Sequence, residues 1–177
     1  MTSVNFFGLS MILVFYILCM KSTNKNSKGV IVLDIRKPTD WELEKVLGLS
    51  PQAVFDGTLG EVEPTKEKID QLVKPLLGKG SYYLIAVKET EIMGWILLGA
   101  SKDQFTDKMN GFIYELFVTD TFRGHGISEM LMRTGIDQLR QEGFSEVRLS
   151  AFAENHAIKL YEKLGFNIRT VTMSLTL

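Results

Sequence analysis

The segment Arg123-Gly124-His125-Gly126-Ile127-Ser128 constrains this chain more than any other. It stands between a strand-like run, Gly111 to Val118, and an amphipathic run, Gly126 to Glu142. In the second run Ile127, Met130 and Leu131, then Met132, Ile136 and Leu139, recur at helical spacing, and Gly143 is placed to end the helix. A strand must therefore turn into a helix across two glycines. The first N–H groups of a helix have no partner inside it, and the helix dipole puts partial positive charge there. Glycine permits left-handed dihedrals and lets a bulky anion approach the backbone. Such a bend can cradle a phosphate with main-chain amides alone, and Arg123 can add a charge-assisted donor. Taken alone, Gly-x-Gly at this place is a weak signal that favours an ordinary tight turn binding nothing.

The rest of the chain alternates strands and helices. Gly29 to Arg36 is a strand rich in β-branched residues, and Thr39-Asp40 caps a helix through Trp41, Leu43 and Val46-Leu47. A second helix runs from Pro64 to about Lys74 on Ile69, Leu72 and Val73, and Pro75 should end or kink it. Ser81 to Lys88 and Ile92 to Gly99 form a hairpin across Glu89-Thr90-Glu91; Lys102 to Asn110 is a polar loop. After the Gly126–Glu142 helix come a strand, Ser145 to Ala151, and a helix from about Asn155 to Leu164. Gly165 stops that helix, and a last strand covers Phe166 to Leu175. This order predicts an α/β or α+β sheet with crossover connections. No repeat and no second-domain boundary follows the leader.

Lys+Arg 20 against Asp+Glu 21 gives a net charge of -1, which argues against a general nucleic-acid binder. One cysteine, Cys19, and two histidines, His125 and His156, leave no disulfide framework and argue against a Cys/His metal cluster, so no metal is expected. Mean hydropathy of +0.07 has its source at the N-terminus, where no charged side chain occurs from Met1 to Met20. A membrane-spanning helix needs about 17–25 apolar residues, and residues 4–20 just reach that length. Lys21, Lys25 and Lys28 follow in a polar linker, so the positive-inside rule places the remainder in the cytoplasm. A secretory signal fits less well, lacking a basic start and a small-residue cleavage site. Three readings stay open: a membrane anchor, an apolar segment folded on the domain, and a start-site artefact with translation from Met20. The chain thus divides into a leader and linker, 1–28, and one domain, 29–177.

The run Val118 to Ser128, with Phe122-Arg123-Gly124-x-Gly126-Ile127, is similar to motif A of the GNAT superfamily of N-acetyltransferases. Leu149-x-Ala151, then Ala157-Ile158-x-Leu160-Tyr161-Glu162-Lys163-Leu164-Gly165-Phe166, resembles its motif B. Three positions depart from the pattern. Asp120 stands where proline is common, and Ser128, still small, replaces the last Gly or Ala of the core. Asn155 lies one residue too close to Ala157, so an Asn contact to pantetheine is in doubt.

The resemblance implies a mostly antiparallel sheet whose fourth and fifth strands splay apart. It also implies transfer of acetyl from acetyl-CoA, as co-substrate, to a primary amine. Pantetheine would pair with backbone around Phe117 and Val118, with Asn155 as a further candidate. The pyrophosphate would rest on Arg123, Gly124, His125, Gly126, Ile127 and Ser128. An amine must be neutral to attack, yet lysine-like amines have a pKa near 10.4, so a general base helps. Glu115 is the candidate, sharing a strand face with Ile113 and Phe117; it reads equally as an outward strand carboxylate. A backbone N–H near Val118 would meet the oxyanion. Tyr161 matches the family tyrosine that protonates the leaving thiolate, and it also lies on the packed face of its helix.

His125, His156, Trp41 and Trp95 read as loop, helix and packing residues. The mixed charges from Glu61 to Asp70 read as a solvated helix face that would flank the acceptor pocket. Edge strands leave room for pairing of two copies. The competing reading is a non-catalytic acyl-CoA sensor or membrane-tethered interaction module.

Overall fold

In chain order the elements are β1 (Asp34–Arg36), α1 (Asp40–Gly57), α2 (Lys66–Gly78), β2 (Tyr82–Lys88), β3 (Glu91–Lys102) and β4 (Met109–Val118). A 3-10 turn at Asp120–Phe122, α3 (Ile127–Gln141), β5 (Val147–Leu149) and α4 (Ile158–Lys163) follow. They belong to a computed structural model that describes residues 33–177. The apolar leader, with its anchor, packing and start-site readings, lies outside the described residues, as does the beginning of the first predicted strand. Among the described residues no helix is long and apolar enough to cross a membrane.

The sheet runs β1-β2-β3-β4-β5. β1 to β4 are antiparallel neighbours, and β5 joins β4 in parallel. This is the mixed, mostly antiparallel architecture expected. Helices α1 and α2 cover one face, where Val46, Leu47, Ile69 and Val73 meet Tyr83, Ile85, Trp95 and Leu97. Helix α3 covers the other, where Ile127, Leu131, Met132 and Leu139 meet Leu84, Ile96, Leu98 and Ile113. Burial on both faces explains why β2 and β3 read as near-continuous apolar runs. Gly135 sets the depth of α3: a Cβ there would lie 3.1 Å from the tips of Ile96 and Leu98.

The start of α1 is fixed by charge as well as by its cap. Thr39 and Glu42 form a reciprocal capping box. Arg36, at the end of β1, forks over the same carboxylate with Nη1 at 2.8 Å and Nη2 at 2.7 Å. The Arg36 hydrogen bond, then the Thr39 amide, hold the Glu42 carboxyl at about 2 against an ordinary 4.5.

Two local expectations are corrected. Pro75 does not end α2, which continues to Gly78. Leu76 and Leu77 pack against the α1/α2 cluster, and that burial outweighs the backbone bond the proline removes. The strand predicted from Phe166 to Leu175 does not form: no strand follows Gly165. Phe166 packs on the core and Arg169 pairs with Asp103 at 3.0 Å, but Ile168, Val171, Met173 and Leu175 are exposed. Alternation specifies the two faces of a strand; it does not supply a partner edge.

Candidate active site

The bend after β4 leaves an unusual run of main-chain donors. Arg123 N–H bonds Asp120 O at 3.2 Å, and the next amide with a protein acceptor is Met130, donating to Gly126 O at 3.1 Å. Between them the amides of Gly124, His125, Gly126, Ile127, Ser128 and Glu129 reach no acceptor among the described residues. No side chain caps α3. Gly124 and Gly126 take φ of 80° and 77°, left-handed values that favour glycine. The space above both is open, with no atom within 4 Å of a notional Cβ. Ile127, buried in the α3-side cluster, anchors the helix start; Ser128 is half-buried beside it. Six free N–H groups at a dipole's positive end, with room above them, fit a diphosphate.

The side chains of the bend are engaged elsewhere. Arg123 donates from Nε to Val118 O at 3.2 Å, pairs with Asp120 at 2.8 Å, and also pairs with Asp56 near the end of α1. Its guanidinium lies 5.7 Å from the Phe117 ring centroid. His125 folds back on its own loop, with Nδ1 3.0 Å from Arg123 O and 3.2 Å from Phe122 O, so Nδ1 donates there.

Beside the bend the sheet opens. β4 and β5 pair only over Gly111–Ile113 with Val147–Leu149, while β4 runs on to Val118. Thr119 N donates to Met93 O on the β3 side at 3.0 Å. By the two-residue alternation of a strand, the main chain of Phe117 also faces β3, and that of Leu116 and Val118 faces the opening. Arg123 takes the Val118 carbonyl; the Val118 N–H is turned to the gap. Phe117 contributes its ring, tilted on Trp95 at 4.7 Å. Leu116 is the edge residue missed in the sequence; counting alternation from the end of β4 is the signal that finds it. Across the gap, Asn155 Nδ2 donates to Gly57 O at 3.0 Å and its Oδ1 accepts Ala157 N–H at 2.9 Å. The end of α1 is thus tied to residues that follow each of the two splayed strands.

The β3–β4 register shifts between Leu97 and Leu98, which face Glu115 and Ile113, so Tyr114 is an extra residue on β4. This bulge corrects the expected face: Ile113 lies in the α3-side cluster, whereas Phe117 lies on the α1/α2 side, where Glu115 meets Trp95 and Tyr83. The half-buried carboxylate accepts hydrogen bonds from Trp95 Nε1 at 2.5 Å, Tyr83 Oη at 3.1 Å and Ser50 Oγ at 3.2 Å. Burial raises its pKa, and these three donors pull against the rise. None of the three is marked by a local pattern as a partner of Glu115. Tyr161 is half-buried against the other cluster, edge-on to Phe166 at 6.2 Å. Its hydroxyl meets no partner among the described residues, and burial raises its pKa. The structure therefore sets Glu115 against one cluster and Tyr161 in the other, with no hydrogen bond between them. Among the described residues no three His, Cys, Asp or Glu side chains gather as metal ligands.

A sheet splayed beside an uncapped, glycine-lined helix start offers main-chain donors and open space to an anion along a strand edge. The family model described as "Acetyltransferase (GNAT) family" matches residues 52–166, and the chain belongs to that family of acetyl-transfer enzymes. It is 29% identical over 147 residues to the uncharacterized N-acetyltransferase YdgE of Bacillus subtilis, covering 76% of this chain and 92% of that one. It is 29% identical over 150 residues to the uncharacterized N-acetyltransferase ycf52 of Pyropia yezoensis, covering 82% and 83%. The aminoglycoside N-acetyltransferase AAC(6')-Iy, solved in complex with CoA, shares the fold with a TM-score of 0.66 and 19% identity, over 86% of this chain and 99% of that one. Glucosamine-6-phosphate N-acetyltransferase of Arabidopsis thaliana does so with a TM-score of 0.57 and 21% identity, over 82% and 98%.

Proposed function

We propose that this chain moves an acetyl group from acetyl-CoA to a primary amine of a small molecule or peptide, by direct attack in a ternary complex. The observation that carries the reading is the run of six unpartnered amides from Gly124 to Glu129 beside the β4–β5 gap. The diphosphate of CoA would rest there, with Arg123 turning from Asp56 toward it, and pantetheine would lie along the edge of Leu116 and Val118. Asn155 serves this site by tying α4 to α1. The amine nitrogen forms the new C–N bond and gives its proton to Glu115, directly or through one water. The Val118 N–H meets the oxyanion. As the C–S bond breaks, Tyr161 protonates the thiolate and recovers its proton from solvent; burial keeps that hydroxyl protonated at neutral pH.

Mixing the protein with acetyl-CoA and a panel of polyamines, aminoglycosides, amino acids and peptides should release free thiol with at least one acceptor. Silence across the panel together with thermal stabilisation by CoA would instead mark a non-catalytic acyl-CoA sensor, since a ligand of the native state alone must raise stability.

A further inference from the structure

Glu115 is held by neutral donors only: among the described residues no Lys, Arg or His pairs with it. The three donors come from three elements. Trp95 is on β3, Tyr83 on β2 and Ser50 on α1. All three side chains are buried, Trp95 and Ser50 completely, so packing fixes where their polar atoms point. The donors are shared unequally between the two carboxylate oxygens. Oε1 accepts from Trp95 Nε1 and from Ser50 Oγ, whereas Oε2, among the described residues, accepts only from Tyr83. A carboxylate oxygen has two lone pairs in its plane. Those of Oε1 are both used; one on Oε2 meets no donor among the described residues. The Ser50 hydroxyl has a single proton and two acceptors at 3.2 Å, Val46 O and Glu115 Oε1, and an ionised Glu115 draws that proton.

We propose that Trp95, Ser50 and Tyr83 are positioning residues: Trp95 and Ser50 commit Oε1 to the protein, and Tyr83 orients Oε2, whose remaining lone pair takes the amine's proton. The proposal rests on the reading of Glu115 as the base, but its test does not need turnover. Donors that stabilise the anion oppose the cost of burying it. Removing one must push protonation of Glu115 to higher pH, whereas a residue that merely fills space would leave it unmoved.

The chain has two tryptophans, so the Trp95 indole N–H is an isolated reporter in 1H–15N spectra. Trp41, 60% exposed, is the internal control. In the full chain the Trp95 signal should titrate with one midpoint that Glu115→Gln abolishes, while Trp41 stays still. Tyr83→Phe should raise the midpoint by about one pH unit, the size of one hydrogen bond to a charged group. Ser50→Ala, which removes only a hydroxyl and keeps the fold testable if Tyr83→Phe unfolds, should raise it by less. The acid limb of kcat/KM should move by the same amounts. A midpoint identical in parent, Tyr83→Phe and Ser50→Ala overturns the proposal. The base reading fails separately, if Glu115→Gln keeps the full transfer rate.

Discussion

Replacing Glu115 by Gln tests the chemistry while sparing the fold. The amide oxygen can occupy the Oε1 position and keep the bonds from Trp95 and Ser50. The NH2 then faces Tyr83, whose hydroxyl can turn to accept. The indole and Ser50 donors keep their acceptor and only the Tyr83 proton must find another, so packing should survive. The stability effect has a sign that follows from the raised pKa of Glu115. A carboxyl that binds its proton more tightly folded than unfolded adds stability below the unfolded pKa, and that contribution is lost as pH rises through the folded value. Once pH has passed that value the parent no longer has the contribution, and the neutral Gln side chain never carries it. Glu115→Gln should therefore gain in Tm relative to the parent as pH rises. The rate should behave oppositely. A positioned general base contributes roughly 100- to 10,000-fold, about 3–5 kcal/mol of transition-state stabilisation. The deficit should be greatest between the Glu115 midpoint and the amine's own pKa, near 10.4 for a lysine-like acceptor, and shrink on either side. Thiol release measured across pH, beside thermal unfolding, reads both. A variant with the parent's rate and pH profile would remove Glu115 as the base; a large loss of Tm would show that the carboxylate serves the fold.

Tyr161→Phe should lower kcat by roughly 100-fold or more with little change in Tm, because its hydroxyl has no protein partner among the described residues; an unchanged kcat would reassign the acid. Glu42→Gln should cost roughly 1–3 kcal/mol at pH 7 through the loss of the charged fork with Arg36. The Glu42 contribution is present above the unfolded value of 4.5 and fades as pH falls through about 2, so denaturant midpoints of parent and variant should converge in acid. Gly99→Ala would place a Cβ 2.0 Å from Ser81 Oγ and should destabilise by about 1–3 kcal/mol. Adding Ser81→Gly should recover much of that in urea unfolding; no recovery would put the strain elsewhere.

The bend from Arg123 to Ser128 was legible because its glycines and the flanking periodicities are local signals, and a helix start leaves its amides free whatever surrounds it. Helix α3 and the β2–β3 hairpin were legible for the same reason. The surroundings of Glu115 were not. Ser50, Tyr83 and Trp95 lie 65, 32 and 20 residues away in sequence, and one bulge at Tyr114 decides which face the carboxylate shares. Trp95 does pack in the core as expected, but its N–H reaches Glu115 only through the β3–β4 register. Arg123 and Asn155 look like ligand contacts by their types and places in the motifs. Their present partners, Asp56 and Gly57, come from the end of α1, which no local pattern connects to them. The tail after Gly165 shows the converse: its alternation is clear, yet strand formation depends on an edge elsewhere in space.

The central claim is that main-chain amides of the glycine bend hold a diphosphate, and a titration of the 15N-labelled chain with CoA reads those amides one by one. The largest proton shifts should fall at Gly124 through Glu129. Arg123 and Met130, whose amides already bond Asp120 O and Gly126 O, should move much less. CoA that binds while Gly124 to Glu129 stay unperturbed, or that fails to bind at all, would contradict it.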